Sequence, residues 1–379
     1  MEEAAAARPS KKARGTAASG LTAFGLRLAK YLADADEGAG VVGVEGQNIF
    51  FSPLSIYAAL ALLSAGARCT TVDELLAALG AASLDEIAEF VSAVVERALA
   101  DHSESEDVTL KPAYTAAAVE SYKAETHAAD FMNKGEEARE KINRWVSKAT
   151  KNLITSILPK GSVRSDTALV LANAIYFKGS WSIPFAEEDT KIRRFQRLDG
   201  SHVRTPFMRS WKDHAVAEYK GFSMCVFLPD AHDGLPNLMD MMASRPNFLW
   251  DHMPRERIEV DELRLPKFKL SFSSRINGVL KAMGIKAAFE EGTADLSDML
   301  EGGADLVLEH VFHKAVIEVN EEGTEAAAST ACTMVDYCLY SPVNFVADHP
   351  FAFFVVEEVS GVVVFMGHVL NPTKSEHEE

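Results

Sequence analysis

Side chains able to do chemistry are plentiful in this chain of 379 residues, yet few stand at spacings that chemistry uses. Gly221-Phe222-Ser223-Met224-Cys225 comes nearest to a nucleophile elbow, but it ends in cysteine where a glycine is needed and sits at the start of a strand-like run. The 11 histidines are scattered, no two stand four apart on a predicted helix, and no H-E-x-x-H occurs. No glycine loop is built to cradle phosphate. Cys69, Cys225, Cys332 and Cys338 are too few for a disulfide scaffold and form no C-x-x-C pair, so reduced thiols are the expectation. Cys338 lies in a polar, irregular stretch with no local activating signature. No catalytic residues, cofactor or metal are therefore expected, and the chain is read as something other than an enzyme.

Composition narrows the partners. With 47% apolar and 25% charged residues the chain can bury a sizeable core, and a net charge of −17 repels phosphate backbones and anionic membranes. Neither a nucleic-acid nor a membrane partner is expected. The first 18 residues form a basic, Ala-rich tail, expected to be disordered, ahead of one domain over 19–379. Arg8, Lys11, Lys12 and Arg14 read either as a solvated tail or as a nuclear import signal. The N-terminus carries no apolar leader core, so the expected compartment is cytoplasmic or nucleocytoplasmic, with leaderless export left open.

The elements that must position any site change character along the chain. Leu21, Phe24, Leu26, Leu28 and Leu32 fall mainly on one helical face. Ser52-Pro53 starts a helix as cap and first-turn proline, and the apolar run Leu54–Leu63 predicts burial all round. A further helix is predicted from a cap at Thr71 with Glu74 three residues on, and helical spacing recurs over 84–100 and 136–157. Strands follow: 168–179, "FSMCVFLPD", "RIEVDELRLPKFKLSF", "HVFHKAVIEVN" and "FAFFVVEEVSGVVVFMGHV". Helices first and strands later imply an α+β domain with largely antiparallel sheets.

One stretch has neither core nor catalytic character. After Glu321-Glu322 and the flexible Gly323 come Thr324, Glu325, Ala326, Ala327, Ala328, Ser329, Thr330 and Ala331, nearly all small. As a strand it would put Thr324, Ala326, Ala328, Thr330, Cys332 and Met334 on one face and Glu325, Ala327, Ser329 and Ala331 on the other. Such a run suits a helical turn or a surface linker, and equally a segment that lives outside as a loop and can also slip between strands.

"HKAVIEVNEEGTEAAAST" followed by "FVADHPFAFFV" resembles the hinge and flanking strands of a serpin reactive-centre loop, in the wording of the plant Z type. "NIFFSPLSIYAALALLSAGA", "LVLANAIYFKGSW", "LPKFKLSF" and "GHVLNP" support the resemblance in the family's order, over nearly all of 21–372. The resemblance implies the serpin fold, with an exposed loop at 323–347. It also implies a suicide-substrate inhibitor of a serine protease, or of a cysteine protease, that works as a monomer. Counted from Gly323 as the family counts, the reactive bond is Tyr337–Cys338, which implies a chymotrypsin-like target; a bond one residue earlier would make Asp336 the specificity residue and imply a caspase-like one. It further implies a polar shutter of Ser52, Ser55, Asn173 and His313 under the sheet, Trp181 at the breach, and Glu321 and Glu322 at the hinge facing a lysine. Read alone, His313 is a satisfied strand-end histidine and Trp181 a core aromatic.

Two departures from the family pattern stand out. Only Val108–Leu110 remain where a further strand of the central sheet belongs, and a strand and turn of the second sheet are missing between "HAVAEYKGF" and "SMCVFLPD". Either loss would leave an edge unpaired. The alternative to inhibition is thus a serpin-fold binding or storage protein whose loop is cut as an ordinary substrate.

Overall fold

A computed structural model describes residues 16–33, 47–98, 111–122, 124, 126, 129–211, 218–219, 221–245, 247–253, 260–299, 306–322 and 343–374. The helices are α1 (Thr16–Ala33), α2 (Pro53–Ala65), α3 (Cys69–Leu79), α4 (Leu84–Ala98), α5 (Pro112–Glu120), α6 (Phe131–Ala149), α7 (Leu235–Ser244), α8 (Phe248–His252) and α9 (Asn277–Ala282). The strands are β1 (Ile49–Phe51), β2 (Leu169–Lys178), β3 (Lys191–Gln196), β4 (His202–Trp211), β5 (Glu218–Tyr219) and β6 (Phe222–Phe227), then β7 (Val260–Pro266), β8 (Phe268–Arg275), β9 (Leu308–Val319), β10 (Val343–Val346), β11 (Phe351–Glu357) and β12 (Val363–Val369). They form three sheets, ordered β1-β12-β11-β6-β5, β10-β7-β4-β3 and β2-β9-β8. All pairings are antiparallel except β2 with β9 and β10 with β7. No helix among the described residues is long and apolar enough to cross a membrane.

Periodicity translates directly into packing at the start of the chain. Leu21, Phe24, Leu26, Leu28 and Leu32 of α1 are all buried, and α2 is buried along nearly its whole length behind its Ser52 cap, whose hydroxyl accepts the Ser55 N–H at 3.1 Å. Thr16–Ala18, expected in the tail, are instead the first turn of α1.

Two predicted helix boundaries move. α3 starts at Cys69 rather than after a Thr71 cap, because the Thr71 hydroxyl is taken up by the Asp295 N–H at 3.0 Å and Glu74 accepts the N–H groups of Lys286 and Ala287. α6 begins earlier, at its Asp130 cap, and stops at Ala149 rather than Ile157. Lys151 and Asn152 turn left-handed there (φ 53° and 65°), and the Thr150 hydroxyl bonds both the Val146 carbonyl and the Ile154 N–H.

Val108–Leu110, at the first of the two sequence gaps, lie outside the described residues. Among the described residues no strand pairs with the outer edge of β2, and nearly all of its residues are only half-buried, unlike the fully buried β11. Beside the second gap the sheet continues past β6 only briefly among the described residues. A strand does pair with β6 there, but β5 is two residues long and turns back sharply at Gly221 (φ 81°).

The core centres on β11 and β12, where Phe50 of β1 stacks on Phe353 and Phe365 at 6.0 and 5.3 Å between ring centroids. β1 can approach this closely because Gly367 has no side chain: a Cβ there would lie 2.3 Å from the Ile49 carbonyl oxygen. Gly367→Ala should therefore force β1 off β12 and cost about 1–3 kcal/mol of stability. A urea midpoint equal to that of the unaltered chain would disprove this close-approach account.

Candidate functional site

β2 and β9 lie side by side in parallel, in register from Leu169↔Leu308 to Lys178↔Glu318. Asn173 and His313 face each other in that register, and their side chains are bonded too, His313 Nδ1 lying 2.9 Å from Asn173 Oδ1. The roles follow from the other contacts. His313 Nε2 receives the Ser52 backbone N–H at 3.3 Å, so Nε2 carries the lone pair and Nδ1 the hydrogen. Asn173 Oδ1 also accepts from the Ser55 hydroxyl (2.5 Å), and Asn173 Nδ2 donates to the Ser55 carbonyl (3.2 Å). The Ser52 hydroxyl donates to the Val364 carbonyl of β12 at 2.7 Å. Ser52, Ser55, Asn173 and His313, which the resemblance groups as a shutter, thus form one bonded cluster joining β2, β9, β12 and the start of α2.

Burial decides the protonation of this cluster. His313 is 1% exposed, and desolvation holds its pKa down to about 3, so the ring stays neutral. His368 of β12 is likewise held down to about 4 by burial, partly opposed by its hydrogen bond to the Gln47 carbonyl.

At the top of the pair, where β9 ends, the chain is clamped on both sides. Trp181 is buried and edge-on to Phe185; its indole N–H donates to the Asn320 carbonyl (2.6 Å) and its backbone N–H to the Glu322 carbonyl (3.0 Å). The lysines that sequence could not name are now visible: Lys267 meets Glu321 at 2.6 Å and Lys178 of β2 meets Glu322 at 2.8 Å. Burial pushes the Glu321 carboxyl up, but the hydrogen bonds from Lys267 and Thr190 together outweigh it and hold the group below its ordinary value. Trp181 is therefore both a core aromatic and a contact at the exit of β9.

Gly323, Thr324, Glu325, Ala326, Ala327, Ala328, Ser329, Thr330, Asp336, Tyr337 and Cys338 lie outside the described residues. What is described are the two roots of that segment. It leaves at Glu322 beside Trp181 and Lys178, and it returns as β10, which pairs in parallel with β7.

Residues 19–372 match the family described as Serpin (serine protease inhibitor). The chain is a serpin. Serpin-Z2A of Oryza sativa subsp. japonica is 52% identical over 420 residues, spanning 94% of this chain and 97% of that protein. Serpin-Z7 of Hordeum vulgare is 40% identical, spanning 93% and 96% respectively. The structure titled "Structure of Arabidopsis AtSerpin1. Native Stressed Conformation" superposes with a TM-score of 0.83 at 37% identity, covering 94% of this serpin and 98% of that chain. The 420 aligned positions outnumber the 379 residues of this serpin, so part of that relative has no counterpart here. Membership makes the chain a protease inhibitor by family rather than an enzyme.

The buried histidines give this serpin a pH-dependent stability. Unfolded, each histidine titrates near its ordinary value of about 6.5; folded, His313 and His368 do not take up a proton until far lower. Below about pH 6.5 the unfolded state thus binds more protons, and stability falls by about 1.4 kcal/mol per pH unit for each histidine down to about pH 4. Urea unfolding from pH 7 to 4.5 should show this slope, made shallower in His313→Gln by one histidine's share; equal slopes would contradict the neutral, buried ring.

Proposed function

We infer that this serpin inhibits a serine endopeptidase as a suicide substrate, by inserting its cleaved loop between β2 and β9. The observation that carries the reading is the parallel pairing of those strands with the loop leaving directly from the end of β9. A segment folding back from Glu322 runs antiparallel to β9, and because β2 is parallel to β9 it runs antiparallel to β2 as well. Opening the pair breaks one ladder along ten register pairs, and insertion makes two. At roughly 0.5–1.5 kcal/mol net per hydrogen bond, the extra ladder favours insertion by on the order of 10 kcal/mol. The small side chains of 324–331 let the strand enter without overpacking.

Cleavage releases the constraint. The protease serine oxygen attacks the Tyr337 carbonyl carbon, an ester forms, and the bond to Cys338 breaks as its amine leaves with the proton delivered by the protease histidine. Insertion of the freed segment then draws the ester-linked protease away from its working geometry before water completes the hydrolysis. Tyr337 fits the deep apolar specificity pocket of a chymotrypsin-like enzyme, whereas a cut after Asp336 would fit a caspase-like one. The inhibitor works as a monomer in this reading, with no metal or cofactor in the trapping step.

The half-exposed edge of β2 favours a second reading, in which the sheet does not hold an inserted strand and the loop is cut as a plain substrate. Mixing the purified protein with chymotrypsin separates the two. The inhibitory reading predicts a complex that survives denaturing electrophoresis and a released peptide beginning at Cys338, and predicts that Ala326→Arg converts most of that complex to cleaved product. Cleavage without any complex would leave the substrate reading.

A further inference from the structure

His349, two residues beyond the Ala347 that follows β10, poses a problem of protons. Its Nε2 lies 2.7 Å from the Pro229 carbonyl oxygen, which can only accept, so Nε2 carries the hydrogen. In the neutral ring Nδ1 then presents a lone pair, and Asp348 Oδ1, another acceptor, stands 2.9 Å away. Two acceptors rest at that distance only with a proton or a metal ion between them. The neighbour decides between these. His232 stacks on His349 with ring centroids 4.7 Å apart, and its Nδ1 is hydrogen-bonded to Gln196 Oε1, which leaves its Nε2 as a third lone pair. A proton serves only the Asp348–His349 pair, whereas a divalent cation uses all three groups.

We propose that His232, Asp348 and His349 form a binding site for a borderline divalent transition-metal cation, zinc foremost, at the C-terminal root of the reactive loop. One ligand atom from each residue lies within 4.8 Å of the others. Two imidazoles and one carboxylate, with water in the fourth position, suit tetrahedral zinc and not calcium or magnesium, which take oxygen ligands. Ligand atoms around zinc sit about 3.4 Å apart, so the set closes by roughly 1 Å on loading. The movement falls to His232, which is exposed and whose ring turns out of its stack, while buried His349 stays fixed by Pro229. Outer contacts of the kind that orient metal ligands are in place: Pro229 on His349 and Gln196 on His232.

The position gives the cation a job. β10 has four residues and, among the described residues, is paired on one side only, with β7. The cation would fasten Asp348–His349 to the loop that follows β6, while the Gln196 N–H already holds the Asp348 carbonyl at 2.8 Å from the end of β3. The root of the reactive loop would then be tied to two sheets at once, independently of whether the loop inhibits.

Calorimetric titration of the metal-free, full-length protein with zinc, paired with melting curves, tests this. One zinc per chain and a raised melting temperature are expected, with excess magnesium failing to compete. His232→Ala should leave the metal-free melting temperature unchanged and weaken zinc on the order of a hundredfold; Gln196→Leu, acting only by positioning His232, should weaken it roughly tenfold. Cobalt(II) in place of zinc should show ligand-field bands without thiolate charge transfer, which separates this site from the cysteines. No binding, binding that His232→Ala leaves intact, or a thiolate signature would each overturn the proposal.

Discussion

The parallel contact between β2 and β9 is the constraint on which the rest of the molecule depends. β9 ends at the top of the sheet beside β2, and the described chain resumes at β10, in another sheet. In the inhibitory reading, a strand folding back from the end of β9 lies antiparallel to both neighbours. The contact is closed by more than its ladder: Asn173 and His313 bridge it from below, and Trp181, Lys178 and Lys267 hold the exit of β9 from above. In the inhibitory reading the fold can gain a ladder but is held short of it, which makes it kinetically rather than thermodynamically settled.

The same contact carries the cost of the shortened sequence. With no described strand beyond it, β2 is the outer edge of its sheet, and in the inhibitory reading it is also the partner that moves. Its inner side is well supported, since β9 is buried along almost its whole length and α6 contributes to a cluster of Val146, Ile154, Leu158, Phe312 and Val316 against the sheet. Leu171 and Phe177 of β2 pack on the main core, Phe177 against Phe365, yet both stay only half-buried. A thin edge makes separation from β9 easier and makes it harder to hold an inserted strand. Those two effects act in opposite directions on trapping.

Much of this was legible in the residues. The uniform burial of α2 follows from an unbroken apolar run behind Ser52-Pro53, and the later strands announced themselves by β-branched and aromatic runs. Boundaries set by long-range contacts were not legible: Thr71 looks like a cap until Asp295 takes its hydroxyl, and α6 looks longer until Thr150 closes it. β3 and β4 went unseen because Lys191, Arg193, Arg194 and Arg204 give them a charged, exposed surface rather than a strand's apolar alternation. The shutter and breach residues were reached through family resemblance, since no local spacing links Ser52 to Asn173 or His313. Lys267 and Lys178 needed the fold, and so did the meeting of His232 with Asp348 and His349, which come from separate loops and leave no metal-ligand spacing in the sequence.

The most direct test of the account is the thermal unfolding of the protein before and after a single cut within residues 323–342, made by a protease that is not trapped. If β2 and β9 part to admit the freed strand, the cut protein should melt roughly 10 °C or more above the intact one, as an added ladder on the order of 10 kcal/mol requires for a chain of this length. A melting temperature that stays where it was, or falls, would contradict insertion and leave the parallel pair as a static feature of the fold.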